Sequence, residues 1–81
     1  MELAREFSDL EGSSVRKIVL DAIRSNEIDP VRERRVFNFN LFDVEIDYAS
    51  GRVTIEEVCS PCRDEVVPLA AFVQVLQSAG I

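Results

Sequence analysis

Apolar residues change their spacing at Arg34, and this change constrains the fold more than any other feature of the sequence. Before Arg34 they recur at every third or fourth position, which is the spacing of an amphipathic helix. From Arg34 onward apolar and polar residues alternate, and aromatic and β-branched side chains become frequent, as in β-strands. Helical segments followed by strands predict an α+β fold, and 81 residues fit a single domain over 1–81.

Two helices are predicted before the spacing changes. Gly12 ends the first, and Ser13 or Ser14 is the expected N-cap of the second. A loop is expected over Ser25 to Pro30, because the residue before a proline is displaced from helical geometry. The apolar faces comprise Leu3, Phe7 and Leu10 in the first helix and Val15, Ile18, Val19, Ala22 and Ile23 in the second.

The first extended segment changes the parity of its apolar residues once, between Leu41 and Phe42. A β-bulge at this point would keep all the apolar side chains on one face of a single bent strand. A break into two strands is the alternative. The alternating apolar residues are Phe37, Phe39 and Leu41 before the change and Phe42, Val44, Ile46 and Tyr48 after it.

A tight turn at residues 49–51 is expected to return the chain as a partner strand over residues 52–58. The register follows from matching the apolar faces, because a slip of one residue would set apolar side chains against polar ones. The expected cross-strand pairs are Tyr48 with Val53, Ile46 with Ile55, and Glu45 with Glu56.

The last part of the chain predicts a loop and a closing helix. Cys59 to Glu65 is polar and is expected to form the loop, with Val66 and Val67 as a short additional strand. Pro68 suits the first turn of the helix that follows. The predicted fold is therefore α+β with two N-terminal helices, an antiparallel β-hairpin or three-stranded meander, and a C-terminal helix. The core face of that helix comprises Leu69, Phe72, Val73 and Leu76.

Acidic residues outnumber basic ones by fifteen to nine, and histidine is absent, which gives a formal net charge of −6. Residues 1–35 contribute −1 and residues 36–81 contribute −5, so the excess lies in the second part of the chain. Nucleic acids and anionic membranes are disfavoured as direct partners, because binding them requires clustered lysine and arginine. A basic protein partner is favoured. No apolar stretch has the length of a signal-peptide core or a membrane span, so a cytoplasmic location is expected.

Acidic residues alternate with apolar ones along the first strand of the hairpin, and Glu56 is expected on the same face of the second, which places four carboxylates on one solvent-facing surface. Like charges directly opposite one another destabilise a sheet, so this surface is expected either to be neutralised or to bind something basic. Neutralisation would come from Arg32, Arg34 and Arg35. Binding would select a basic protein, such as the cleft of a nuclease. The candidate partner-binding residues are Asp43, Glu45, Asp47, Glu56 and Glu57.

Calcium is a further interpretation of Asp43, Glu45 and Asp47, whose spacing is that of alternating oxygen ligands in a loop. Tyr48 stands where a calcium loop needs glycine, and Thr54 stands where it needs a bidentate glutamate. No metal site is expected at these residues.

Cys59 and Cys62 have the spacing of a redox dithiol or of half a zinc site. Zinc needs four ligands, and two thiols without histidine do not complete a structural site. Redox thiols are activated at a helix N-terminus, but the closing helix is expected to begin only near Pro68. We therefore expect two loop cysteines and neither a metal nor a cofactor.

The sequence contains none of the usual catalytic constellations. Histidine is absent, and neither a nucleophile elbow nor a phosphate-binding glycine loop occurs. We therefore expect a non-enzymatic binding protein that neutralises a basic partner, as immunity proteins do for nuclease toxins. The alternative is an oligomeric accessory or scaffold subunit. It would act through the unusually apolar C-terminal helix, where Ala71 and Val75 would contact a partner or a second copy in a homodimer.

Overall fold

The computed structural model describes residues 2–28, 33–58 and 63–78. The helices are α1 (Glu2–Glu11), α2 (Ser13–Ile28) and α3 (Leu69–Ser78). The strands are β1 (Arg34–Asn38), β2 (Phe42–Asp47), β3 (Arg52–Glu57) and β4 (Asp64–Pro68). They form one antiparallel sheet in the order β1-β2-β3-β4. The predicted α+β class is confirmed, but the sheet has four strands and not the predicted two or three.

The change of parity marks a turn between β1 and β2, so the β-bulge prediction is wrong and the break into two strands is correct. The backbone N–H of Phe39 donates to the carbonyl oxygen of Phe42 at 3.0 Å, which closes the turn. Phe37 then stands opposite Val44 in the paired strands. Reversing the chain returns Phe37 and Phe39 to the same face as the apolar residues of β2, whereas Leu41 in the turn is exposed.

The fourth strand contains Val66 and Val67, the predicted short additional strand, but it begins earlier, within the predicted polar loop. Asp64 and Glu65 begin β4, which pairs with β3 as far as Pro68. Residues 59–62 lie outside the described residues, as do Arg32 and Gly80. Pro68 is the last residue of β4 and α3 begins at Leu69, so the proline precedes the helix. An edge strand tolerates this proline because its missing N–H is not needed for pairing with β3.

The register between β2 and β3 differs from the prediction by two residues. Ile46 stands opposite Val53, not Ile55, and Glu45 stands opposite Thr54, not Glu56. A shift of two residues preserves every face, since side-chain direction repeats with period two. The apolar residues of the two strands therefore face the core as predicted. The carboxylate opposite Glu56 is that of Asp43 and not that of Glu45.

The turn between β2 and β3 explains this register. The Asp47 carboxylate accepts hydrogen bonds from the backbone N–H groups of Ala49 and Ser50 at 3.1 and 3.3 Å. Gly51 donates its N–H to the Asp47 carbonyl oxygen at 2.9 Å and has a φ of 69°, which favours glycine. Tyr48 is consequently part of the turn and not of the strand. The turn therefore spans residues 48–51, one residue more than the predicted turn at 49–51.

All three helices contribute to a single core on one face of the sheet. Phe7 of α1 lies at its centre, with ring centroids 5.7 to 5.9 Å from those of Phe39, Phe42 and Phe72. The first turn of α1 is capped from the sheet, because Glu65 Oε1 accepts the backbone N–H of Ala4 at 3.3 Å. The buried apolar residues are Leu3, Ala4, Phe7, Val19, Ile23, Phe37, Phe42, Val44, Ile46, Val53, Ile55, Val67, Phe72 and Leu76.

Candidate binding surface on the open face of the sheet

The sheet face away from the helices, here called the outer face, carries the alternate residues of every strand. None of its described residues belongs to the hydrophobic core. The register arranges them in three rows that run across the strands. The rows are Arg34, Asp47, Arg52 and Pro68; Val36, Glu45, Thr54 and Val66; and Asn38, Asp43, Glu56 and Asp64.

Charge is segregated between the two ends of the outer face. At one end Asp47 stands between Arg34 and Arg52, and we call these three residues with Pro68 the arginine row. At the other end three carboxylates occupy neighbouring strands, and we call Asn38, Asp43, Glu56 and Asp64 the acidic row. The outer face therefore has a negative end and a positive end.

The three carboxylates of the acidic row belong to Asp43, Glu56 and Asp64. Asn38 Nδ2 donates to Asp43 Oδ1 at 3.0 Å. Glu56 and Asp64 are exposed, and across the described residues no lysine or arginine forms an ion pair with any of the three. Opposed like charges on a sheet destabilise it by a few tenths of a kcal/mol to about 1 kcal/mol per pair. A cationic group bound at this row would relieve that repulsion.

The predicted site residue Glu45 lies in the middle of the outer face. Its carboxylate forms an ion pair with Arg34, and the two side chains remain 38% and 62% exposed, respectively. Exposed pairs of this kind contribute little to stability, because water screens the attraction. Arg34 thus neutralises Glu45, as the solvated-face interpretation expected, but it does not reach the acidic row.

Asp47 lies on the outer face as predicted but has a local role. Its carboxylate holds the turn through the N–H groups of Ala49 and Ser50. Its cross-strand neighbours are Arg34 and Arg52. Its negative charge is therefore surrounded by hydrogen-bond donors and cationic side chains.

Glu57, the fifth candidate residue, lies on the helix side of the sheet opposite Phe42. Its carboxylate accepts a hydrogen bond from Arg63 Nε. Arg63 also donates to both carboxylate oxygens of Glu6 at 3.0 Å and lies 3.5 Å from a carboxylate oxygen of Glu2. The hydrogen bond to Glu57, followed by that to Glu6, raises the pKa of the Arg63 guanidinium above its ordinary value. This cluster links α1 to the sheet.

Apolar side chains adjoin the acidic row. Leu41 and Val58 lie just beyond Phe42 and Glu57, the last pair of β2 with β3, and the Val58 N–H donates to the Leu41 carbonyl oxygen at 3.1 Å. Leu41 is 48% exposed and Val58 52%. Together with Leu10 at the end of α1, they line a cavity of about 200 Å³. This end of the molecule therefore combines exposed apolar surface with carboxylates.

A second concave surface lies between α1 and α3. Ala71 and Val75, the candidate interface residues, are half-buried there. The cleft has a volume of about 430 Å³. Its lining includes Ser8, whose buried Oγ has no hydrogen-bond partner among the described residues, and the exposed charged side chains of Arg5 and Asp9. The cleft is thus partly polar, which the apolar helix alone did not indicate.

Asp64 is the functional candidate that the sequence analysis missed. It was assigned to a polar loop, and only its place in β4 brings it beside Glu56. One sequence signal for this strand was available, although proline is unusual in strands. It is the alternation of Asp64, Val66 and Pro68 with Glu65 and Val67.

Neither a metal site nor a membrane span is found in the described part of the chain. No group of three or more acidic, cysteine or histidine side chains there is arranged to hold a metal ion. Cys59 and Cys62 lie outside the described residues, so the expectations about them remain predictions. Of the helices α1 to α3, none has the length and apolar character needed to cross a bilayer.

Comparison with models of protein families, with curated proteins and with solved structures found no match to this chain.

Proposed function

We propose that this protein is a small non-enzymatic binding protein that inhibits or neutralises a basic protein partner through the outer face of its sheet. The observation that supports this most strongly is the acidic row. Asp43, Glu56 and Asp64 stand side by side on a face that no described helix covers. Immunity proteins for nuclease toxins and inhibitors of nucleic-acid enzymes share this combination of small size and acidic surface.

The contact surface would consist of the acidic row and the adjoining Leu41 and Val58. Interfaces commonly place apolar side chains at the centre and charged ones around them. Leu41 and Val58 supply exposed apolar area, and Asp43 and Glu56 flank them on the sheet. A partner segment that carries both apolar and basic residues would complement this surface.

Electrostatic attraction would act mainly on the rate of association. A cationic surface is steered toward the acidic row at distances up to the Debye length, which is about 8 Å at physiological ionic strength. Bound cations would also remove the repulsion among Asp43, Glu56 and Asp64. We therefore expect binding to be fast and to weaken as salt is added.

The proposal is tested with a pair of variants that lose the same charge at different places. Glu56→Gln with Asp64→Asn removes two exposed carboxylates of the acidic row. The control, Asp21→Asn with Glu27→Gln, removes two exposed carboxylates of α2. A basic protein captured by the immobilised chain is purified, and its association with each variant is followed by stopped-flow at low and high salt.

We expect the acidic-row variant to associate about tenfold or more slowly at low salt and the α2 variant to stay near the wild-type rate. Equal slowing by both variants would mean that only the net charge matters. Unchanged association of the acidic-row variant would exclude the outer face as the binding surface.

The cleft between α1 and α3 supports the alternative, an accessory or scaffold subunit that contacts its partner through α3. Ala71 and Val75 line the cleft and leave part of their apolar surface to solvent. Val75→Lys would abolish partner binding on this alternative, whereas binding through the acidic row would be unaffected. The same capture experiment therefore distinguishes the two surfaces.

A further inference from the structure

The β1 strand forms one edge of the sheet and leaves alternate backbone groups without a partner strand. The Phe39 N–H donates to the Phe42 carbonyl oxygen, and the Tyr48 N–H donates to the Glu33 carbonyl oxygen at 2.8 Å. The odd-numbered residues of β1 therefore form its hydrogen bonds to β2. The N–H and C=O groups of Arg34, Val36 and Asn38 consequently point away from the sheet. Such an edge can accept another strand.

The opposite edge, β4, is less suited to strand addition. The Glu57 N–H donates to the Arg63 carbonyl oxygen, and the Leu69 N–H donates to the Gly51 carbonyl oxygen, so the odd-numbered residues of β4 form its hydrogen bonds to β3. The residues whose backbone groups point outward are therefore Asp64, Val66 and Pro68. Pro68 has no N–H to donate. Helices α1 and α3 also pack against β4. The β1 strand contains no proline, and Val36 at its centre is 55% exposed.

We propose that β1 pairs antiparallel with β1 of a second copy of this chain, around a two-fold axis at Val36. Val36 then stands opposite its counterpart, and Arg34 stands opposite Asn38 of the second copy. Every outward-pointing N–H of one strand meets an outward-pointing C=O of the other. The two sheets become one continuous sheet, and the interface is the self-complementary kind that two-fold symmetry requires.

Charge complementarity supports a second copy as the occupant. The antiparallel arrangement brings the arginine row of one copy into line with the acidic row of the other. Arg34 then lies beside Asn38 of the second copy, whose amide bonds Asp43 at 3.0 Å, so a cation approaches a carboxylate across the seam. A parallel arrangement would instead set Arg34 beside Arg34, which like-charge repulsion disfavours.

The helix side of β1 is also compatible with this register. Arg35 stands opposite Phe37 of the second copy, and within one copy the Arg35 guanidinium already lies 4.9 Å from the Phe37 ring centroid. An arginine next to an aromatic ring is favourable, whether the ring belongs to the same chain or to another. The register therefore creates no pair of like charges on either face.

The dimer goes beyond the proposed function and is independent of it. Each copy keeps Glu56 on β3 and Asp64 on β4 away from the β1 seam, and only Asp43 lies near it, next to Asn38. A dimer would thus present two acidic rows, one per copy, and could bind a partner bivalently.

Matched substitutions on the two edges test the dimer. Val36→Lys places two like charges on the two-fold axis, whereas Val66→Lys introduces the same charge at the equivalent place on β4, where Val66 is 60% exposed. Sedimentation equilibrium over a wide range of protein concentration measures the mass of each form. We expect the wild type to approach twice the chain mass of 9.1 kDa. Val36→Lys should raise the dissociation constant about tenfold or more, and Val66→Lys should leave it within about twofold.

A second measurement does not depend on added charge. In a background with Cys59→Ser and Cys62→Ser, Val36→Cys should form a disulfide-linked dimer on mild oxidation, because opposed Cα atoms of a hydrogen-bonded pair lie about 5.5 Å apart. Val66→Cys in the same background is the control. A monomer at every concentration, equal effects of the two lysine variants, or equal cross-linking of the two cysteine variants would each overturn the proposal.

Discussion

At the scale of single residues, buried aromatic rings determine stability. Phe7 touches the rings of β2, of α3 and of the turn after β1, so one side chain joins three parts of the fold. Its surface is fully buried, as is that of Phe72. A thin core of this kind leaves little tolerance for a cavity.

Phe7→Ala should lower the free energy of unfolding by about 3 to 5 kcal/mol, because it removes buried area and leaves a cavity among three rings. Chemical denaturation followed by circular dichroism measures the change. Leu10→Ala is the control, since Leu10 lies in the same helix but is 60% exposed. A loss for Phe7→Ala no larger than that for Leu10→Ala would contradict the assigned core.

At the scale of elements, the turn between β2 and β3 decides which side chains become neighbours. Asp47 fixes the turn with its carboxylate, while Glu45, two residues earlier on the same face, forms only an exposed ion pair. The two acidic residues were equivalent by sequence pattern. Their contacts give one a structural role and leave the other at the surface.

Asp47→Ala should therefore cost about 1 to 2 kcal/mol of unfolding free energy, through the lost hydrogen bonds to Ala49 and Ser50. Glu45→Ala is the matched control and should cost less than about 1 kcal/mol. Both values come from denaturant midpoints measured under one condition. Equal costs for the two variants would show that the Asp47 carboxylate does not stabilise the turn.

At the scale of the whole molecule, the helices cover one face of the sheet and the charges divide the other face into two ends. The Arg63 cluster ties α1 to the β3–β4 side of the sheet. The described part of the fold is already held by its core and this cluster.

Replacing both cysteines, Cys59→Ser with Cys62→Ser, should leave the folded structure and partner binding intact. Two thiols without histidine do not complete a zinc site. Thermal denaturation and metal analysis of the purified wild type provide the measurements. Stoichiometric zinc in the wild type, or failure of the double variant to fold, would show that the cysteines are structural ligands.

Local periodicity predicted the α+β class and most of the buried residues, but Leu10, Ile18 and Leu41 of the predicted apolar faces are exposed. Phe7, Ile46 and Phe72 were assigned to the core by spacing alone, and each is fully buried. This works because the direction of a side chain depends on its own element, whose period is written in the sequence. The outward direction of Asp43 and Glu56 was predictable for the same reason.

Tertiary structure decided which outward side chains lie together. The strand count depended on a turn at Leu41 and on β4, and the register depended on the hydrogen bonds of Asp47. A shift of two residues leaves every face unchanged, so periodicity does not distinguish the two registers. Glu45 consequently lost its predicted partner Glu56, which instead stands between Asp43 and Asp64. The sequence determined that the outer face would be acidic, and strand pairing determined where on that face the carboxylates meet.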